Sequence, residues 1–375
     1  MNKLRKMDLQ LFGNTLLTPQ IIANEALMVL ESQLTMAGLV HRDYSEEFVN
    51  VGDTITIRKP ATFVAKNFTG STHDQDITEG SATVKMDRFR DVTVPVSSKE
   101  LTLDIKDFSS QIVTPAISAI AQAVDMDLLA VGVEKAKGKA SVSSTPVLTD
   151  IAGVGKWLDQ KKAPKQNRRF VMPAEIQYKY NTLDNFAKQC YAGDSQALRD
   201  AEIGRVYTCE TFSSENCPQS SASTVGTATA YKVTGTKDTT QFTVSDGSPA
   251  TGKIAKGDQL IVNGYLYTCT EDLTLASGAG TLKVDQNIPA DIETATSVKI
   301  INKAHALGFH RNGIALVTRN LALPMGNKNA YIASANGLGV RVVMDYDSQH
   351  KTDKVSFDII YGIKELNEDL LVDFS

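Results

Sequence analysis

The sequence predicts an α+β fold interrupted by an inserted all-β module, and three observations predict it. Apolar residues recur at helical spacing in a few separated stretches, one of them long. Runs that alternate with period two stand between and after those stretches. Past about residue 219 the composition turns to Ser, Thr and Gly with short β runs, before apolar strands resume near residue 313.

A chain of 375 residues is too long for one small core, and two or three packed units are expected at roughly 100–200 residues each. Hydrophobic residues make up 42% and charged residues 22%, an ordinary globular balance. The net charge of −4 supplies no broad positive field, which disfavours a sequence-specific DNA reader. No uninterrupted apolar run approaches the roughly 18–20 residues of a membrane span, and the basic start Asn2-Lys3-Leu4-Arg5-Lys6 runs into Asp8, Gln10 and Gly13 without a signal-peptide core. An intracellular product with no membrane partner is expected.

Taken in order, Thr18-Pro19 opens the first helix. Thr caps, Pro suits the first helical position, and Ile21, Ile22, Ala26, Val29 and Leu30 keep helical spacing up to Gly38. Residues 52–58 then alternate, as do Val84 and Met86 and later Val92, Val94 and Val96, which reads as strands. Residues 60–80 between them hold Phe63, Val64 and Phe68 in a polar stretch with Asp74, Asp76 and Glu79 near its end, the pattern of a long hairpin tip. A two-stranded ribbon is marginal alone and needs cover. A neighbouring copy of the chain is the simplest cover, and folding back on its own domain is the alternative.

The longest helical signal follows. Val113, Ile117, Ile120, Val124, Leu128 and Val131 stand four, three, four, four and three residues apart, with Thr114-Pro115 as cap and Gly138 beyond Lys135 and Lys137. From Pro115 to Lys137 it would run on the order of 34 Å, long enough to be a backbone element of the whole fold. Residues 150–217 read as mixed helix and strand: a helix from Asp150 to Lys161, a strand Arg169-Phe170-Val171-Met172, and a helix opened by Pro173-Ala174-Glu175 toward Gln189. Lys161, Lys162, Lys165, Arg168 and Arg169 form the densest basic run, either a solvated helix end or a contact for phosphate or an acidic neighbour. Within the Ser/Thr-rich module, at about residues 220–303, Asn263-Gly264 between alternating apolar residues signals a two-residue hairpin, because both turn positions need positive φ. Strands at Val340–Met344, Val355–Tyr361 and Leu370–Phe374 close the chain, the last returning to pair near the long helix and the hairpin base.

No catalytic or metal constellation is found. Gly153-Val154-Gly155-Lys156 fails as a phosphate loop, since Asp150 stands where the earlier glycine is needed and Trp157 replaces the Ser or Thr. Asn336-Gly337-Leu338-Gly339 lacks the third glycine of a dinucleotide turn and reads as a strand-entry turn. His305 and His310, five apart, and the scattered His41, His73 and His350 make no ligand set, and Asp345 and Asp347 read as flanking a turn. Cys190, Cys209, Cys217 and Cys269 contain no C-x-x-C pair and read as free thiols. Neither a cofactor nor a metal is expected.

The ordered combination resembles the major capsid proteins of tailed bacteriophages, specifically podovirus-type coat proteins with an inserted β domain. The residues that carry it are Ala306-Leu307-Gly308-Phe309-His310-Arg311-Asn312-Gly313-Ile314-Ala315-Leu316-Val317 with Leu323-Pro324, then Gly337-Leu338-Gly339-Val340-Arg341 with Asp345-Tyr346-Asp347, and Asp358-Ile359-Ile360-Tyr361-Gly362. The opening Met7-Asp8-Leu9-Gln10-Leu11-Phe12-Gly13 is similar to the start of many phage capsid proteins from Gram-positive hosts. The resemblance implies an N-terminal arm and helix (1–50), an extended E-loop (51–97), a peripheral domain with a spine helix (98–148 and 324–375), an axial domain (149–219 and 304–323) and the β domain (220–303). It implies self-assembly of hexamers and pentamers into an icosahedral shell around double-stranded DNA in the host cytoplasm, with a portal protein. A separate scaffolding protein is implied too, because only about 17 residues precede the first helix.

In such a shell, many modest contacts between identical subunits sum to a closed assembly. Phe63 and Phe68 would give apolar contact near the E-loop tip. Lys66, Lys85, Arg88 and Arg90 would meet acidic groups on neighbours, with Asp74, Asp76 and Glu79 as the acidic part of the loop. Charge reversal at Arg88 and Arg90 is expected to impair assembly without unfolding the monomer, and no cross-link through Lys66 or Lys85 is expected. An encapsulin shell, a surface adhesin and an unrecognised enzyme are the alternatives, in that order.

Overall fold

The structure is a computed structural model and describes residues 19–42, 54–58, 67, 81–97, 112–143, 145–183, 204–219, 231–246, 252–275, 279–301, 303–324, 329–335, 338–350 and 352–375. The expected hairpin tip, with Phe63, Lys66, Phe68, Asp74, Asp76 and Glu79, lies outside them, as does Cys190. The chain divides into two compact units, one of Met1–Ser32, Phe89–Ile120 and Arg319–Ile360, the other of Gln33–Arg88, Ala121–Thr318 and Tyr361–Ser375.

In the first unit, strand Ala330–Ala335 pairs antiparallel with Leu338–Asp347, which pairs in turn with Thr352–Glu365. The register sets Ala335 opposite Leu338, so Gly339 lies within a strand. Strand Arg88–Ser97 also joins Thr352–Glu365. Pro95 is tolerated there because a proline, lacking an N–H, is confined to edge strands. Asp358 is buried among these strands and is fully answered. Arg341 Nε and Nη2 donate to its Oδ2 at 2.9 and 2.6 Å, and Ser356 Oγ donates to its Oδ1 at 2.7 Å. Asp347 ends its strand in a turn, and the His350 ring, the Lys354 ammonium and two backbone N–H groups hold its carboxyl far below the usual range.

The second unit is built on a six-stranded mixed sheet in the order Gly138–Ala140, Leu371–Phe374, Ala306–His310, Arg168–Met172, Cys209–Ser213 and Arg205–Val206. The C-terminal strand thus pairs parallel with the strand that follows the long helix and antiparallel with Ala306–His310. Helix Leu148–Gln160 places Ile151, Val154 and Leu158 in one core with Phe170, Met172 and Phe374, and the rings of Phe170 and Phe374 meet edge to face at 5.3 Å. The Gly153–Lys156 stretch is therefore helix rather than loop. His310 belongs to a strand, as does neighbouring Ala306, so no helical face relates it to His305.

The described strands between residues 231 and 301 form three further antiparallel sheets, of four, three and two strands, that share a core of Tyr231, Phe242, Ile254, Leu260, Tyr267 and Leu282. Asn263 (φ 51°) and Gly264 (φ 79°) join Gln259–Val262 to Tyr265–Thr268 in the two-residue turn that the pair signals.

The long helix runs Thr114–Lys135, and Ile117, Ile120, Val124, Leu128 and Val131 are all buried. By length and composition it could cross a membrane, yet it carries Asp125 and Asp127, each buried and each bonded to groups of the same chain. Asp125 also explains a departure from the sequence reading. The first helix ends at Gln33, and a four-residue helix, Met36–Leu39, replaces its expected continuation to Gly38. Thr35 N and Met36 N donate to Asp125 Oδ2 and Oδ1 at 3.0 and 3.1 Å instead of continuing the helical ladder.

Burial raises the Asp125 carboxyl to about 6, while the backbone N–H groups of Thr35, Met36 and Ala37 pull it down. The folded state therefore holds this proton more tightly than the unfolded chain. The group's contribution to stability is fully present below the ordinary carboxyl range and is lost as pH rises through 6. Wild type should gain melting temperature relative to Asp125→Asn as pH falls from 7 to 4, measured by thermal denaturation. A difference that does not change across that range would contradict the assignment.

Candidate assembly interface

The hairpin that the sequence offers for assembly begins as Thr54–Arg58 paired antiparallel with Ser81–Lys85, Thr54 opposite Lys85 and Arg58 opposite Ser81. Its returning strand alternates as read: Ala82, Val84 and Met86 are buried, whereas Thr83, Lys85 and Asp87 are exposed. The apolar face at this base is covered by the same chain, so the fold-back alternative holds for the base. Gly362 makes the approach possible, since a Cβ there would come within 2.4 Å of the Lys85 carbonyl oxygen. Lys85 keeps its side chain exposed, and Arg90 is half-buried.

Arg88 requires a correction. It does not reach outward to a neighbour but is 5% exposed at the centre of an intrachain cluster. Nη1 lies 2.9 Å from Asp127 Oδ2, Nη2 donates to the Gly264 carbonyl at 3.0 Å, and the guanidinium stacks 4.0 Å over the Tyr265 ring. Tyr361 Oη donates to the same Asp127 oxygen at 2.6 Å, and Gly264 N donates to Glu134. Burial, the largest single influence, weakens the guanidinium as a base, but Asp127 together with Tyr265 and Tyr361 more than offsets it and raises Arg88 above its ordinary value. The physical reason for the inward turn is the carboxylate on the long helix, which cannot be buried as a charge without a counterion.

The basic run is corrected in the same way at one position. Lys161, Lys162 and Lys165 are exposed, as a contact surface needs. Arg168 instead is 1% exposed, bonded to Asp159 at 2.7 Å, to the Ala163 and Pro164 carbonyls at 2.7 and 2.9 Å, and to Thr208 Oγ1 at 3.0 Å. It organises the turn that presents the lysines. Lys161 is shared with Asp369 at 3.1 Å and the Trp157 ring at 5.1 Å. Arg169 is half-buried, its basicity lowered by burial.

Sequence reasoning passed over two charged groups. One is Asp127, whose signal was a carboxylate inside an otherwise apolar helical pattern. The other is Asp373 in the terminal strand, which bonds His305 Nδ1 and Lys299 Nζ, each at 2.6 Å, with Lys299 also donating to the Val133 carbonyl at 3.1 Å. Residues so far apart in sequence give no spacing cue. Among the described residues no group of three His, Cys, Asp or Glu side chains is arranged to hold a metal ion, and Cys209, Cys217 and Cys269 are buried thiols raised by burial.

Removing one partner of a buried pair strands the other charge. Arg88→Ala should destabilise the isolated chain by about 3–5 kcal/mol, and pairing Arg88→Met with Asp127→Leu should recover much of that loss. Denaturant titration checks both, and equal losses in the single and double variants would refute the pairing.

No protein-family model matches this sequence, and no curated protein matches it. Solved structures do match in fold. A structure from Mycobacterium phage Che8 aligns over 92% of this chain and 91% of its own, at TM-score 0.54 and 14% identity. The capsid of cyanophage P-SCSP1u aligns over 91% of this chain and 87% of its own, at TM-score 0.51 and 11% identity. With about nine-tenths of each chain aligned, this chain has the tailed-phage major capsid protein fold.

Proposed function

We propose that this chain is the major capsid protein of a tailed phage and that it assembles into the icosahedral shell enclosing the phage's double-stranded DNA. The observation that carries the reading is the fold match, which extends over about nine-tenths of this chain and of a phage capsid subunit alike. The protein is then a structural component of the virion rather than an enzyme, made and assembled in the host cytoplasm, with a scaffolding protein and a portal protein as partners.

In this reading residues 51–97 are the E-loop. Its base is fastened to its own subunit through Arg88 and the Gly362 approach, and its tip, with Phe63, Lys66, Phe68, Asp74, Asp76 and Glu79, reaches a neighbour. A rigid base is what such an arm requires, because an arm that swivels loses binding free energy to ordering when it docks. The peripheral domain comprises residues 98–148 and 324–375, the axial domain residues 149–219 and 304–323, and the inserted domain residues 220–303. The separate hydrophobic core within residues 231–298 supports the last boundary. Lys85, Lys162 and Lys165 are the exposed cations proposed to meet acidic neighbours, while Arg90 is half-buried and Lys161, though exposed, is already held by Asp369.

Purified protein, with and without a coexpressed scaffolding protein, should form closed shells in negative-stain micrographs. Particles absent under both conditions would overturn the reading. The mild net charge of −4 also predicts weak, salt-sensitive DNA binding by free subunits, since few condensed counterions would be released. Fluorescence anisotropy checks this, and tight binding at physiological salt would contradict it.

A further inference from the structure

Strand Ala330–Ala335, Ala-Tyr-Ile-Ala-Ser-Ala, ends its sheet. It pairs with Leu338–Asp347 over six consecutive residues without a bulge, and among the described residues no strand pairs with its other edge. An open edge presents a row of backbone donors and acceptors and invites another strand, so proteins ordinarily blunt it with charge, proline or a bulge. This molecule does so elsewhere. Among the described residues, every other edge strand of five or more residues carries a charge: Arg58, Lys85, Lys283, Glu293, Arg319, and the arginines of Arg88–Ser97, which also holds Pro95. Ala330–Ala335 has none of these devices.

We propose that this edge is an assembly contact and that its occupant is the same strand of a second copy, paired antiparallel about a two-fold axis. The composition selects that partner. A two-fold axis sets only the residues near the middle of the pairing beside their own counterparts, so a charge there would meet its like, and this strand has no charge at any position to repel. Six residues span roughly 20 Å, the length of an ordinary strand pair. Tyr331 and Ile332 are only half-buried within the single chain and would gain cover from the second copy. The inference deepens the shell reading and rests on it for the supply of a second copy in a fixed orientation.

Cysteine placed singly at Tyr331, Ile332, Ala333 and Ser334 in the full-length protein tests it, under mild oxidation and read on a non-reducing gel. Directly opposed residues in antiparallel strands lie at disulfide distance. Dimer yield should therefore peak at one position or at two adjacent ones, well above wild type, whose described cysteines are buried. Ser334 is exposed, so Ser334→Lys should keep the wild-type melting temperature while lowering shell yield about tenfold. No cross-link above wild type at any of the four positions, or full shell yield from a folded Ser334→Lys, overturns the edge pairing. Shells without cross-links would sink the pairing and leave the shell reading standing, whereas cross-linked dimers that never close into shells would support the pairing and sink the shell reading. If Ser334→Lys fails to fold, the cysteine series decides alone.

Discussion

A carboxylate buried in an apolar helix must be answered, and the second unit is arranged around the answers to Asp127. Arg88 neutralises it at the end of the hairpin, and Tyr361 donates to it from the strand that returns toward the C-terminus. The same guanidinium reaches the Gly264 carbonyl and lies over Tyr265, while Glu134, farther along the helix, takes the Gly264 N–H. Three segments far apart in sequence, at Arg88, Gly264-Tyr265 and Tyr361, are thus registered on one stretch of helix by charge-assisted bonds. Such a buried network is costly to form in part and cooperative when complete, so it specifies one arrangement rather than several.

The rest of that helix repeats the device. Asp125 receives the N–H groups that start Met36–Leu39, and the Val133 carbonyl receives Lys299, which also bonds Asp373 in the terminal strand. Apolar packing holds the helix in place, and its polar groups decide which segments dock where. On the proposed shell reading this separation is useful. The segments that fasten the hairpin base are not the exposed ones that remain for neighbours, so a docked arm and a folded core need not compete for the same side chains.

Much of this order was legible in the sequence, for reasons that name particular residues. The steps from Val113 to Val131 define the long helix, and Asn263-Gly264 defines a turn that both φ values satisfy. Periodicity, however, reports which face is apolar and says nothing of what a lone polar residue meets. Arg88 and Arg168 read as surface cations because arginine usually is one, and only the fold brings Asp127 and Asp159 to them. The break after Gln33 was illegible for the same reason, since the carboxylate that causes it stands 89 residues from Met36. Of the expected contact residues, the lysines at 85, 161, 162 and 165 are where a surface reading puts them, exposed.

A reconstruction of assembled particles at side-chain detail bears on the whole arrangement at once. It should show Arg88 on Asp127 of its own subunit while Phe63 and Phe68 lie against a different copy. A closed particle in which those phenylalanines pack on their own subunit, or in which Arg88 has left Asp127 to cross a subunit boundary, would contradict it.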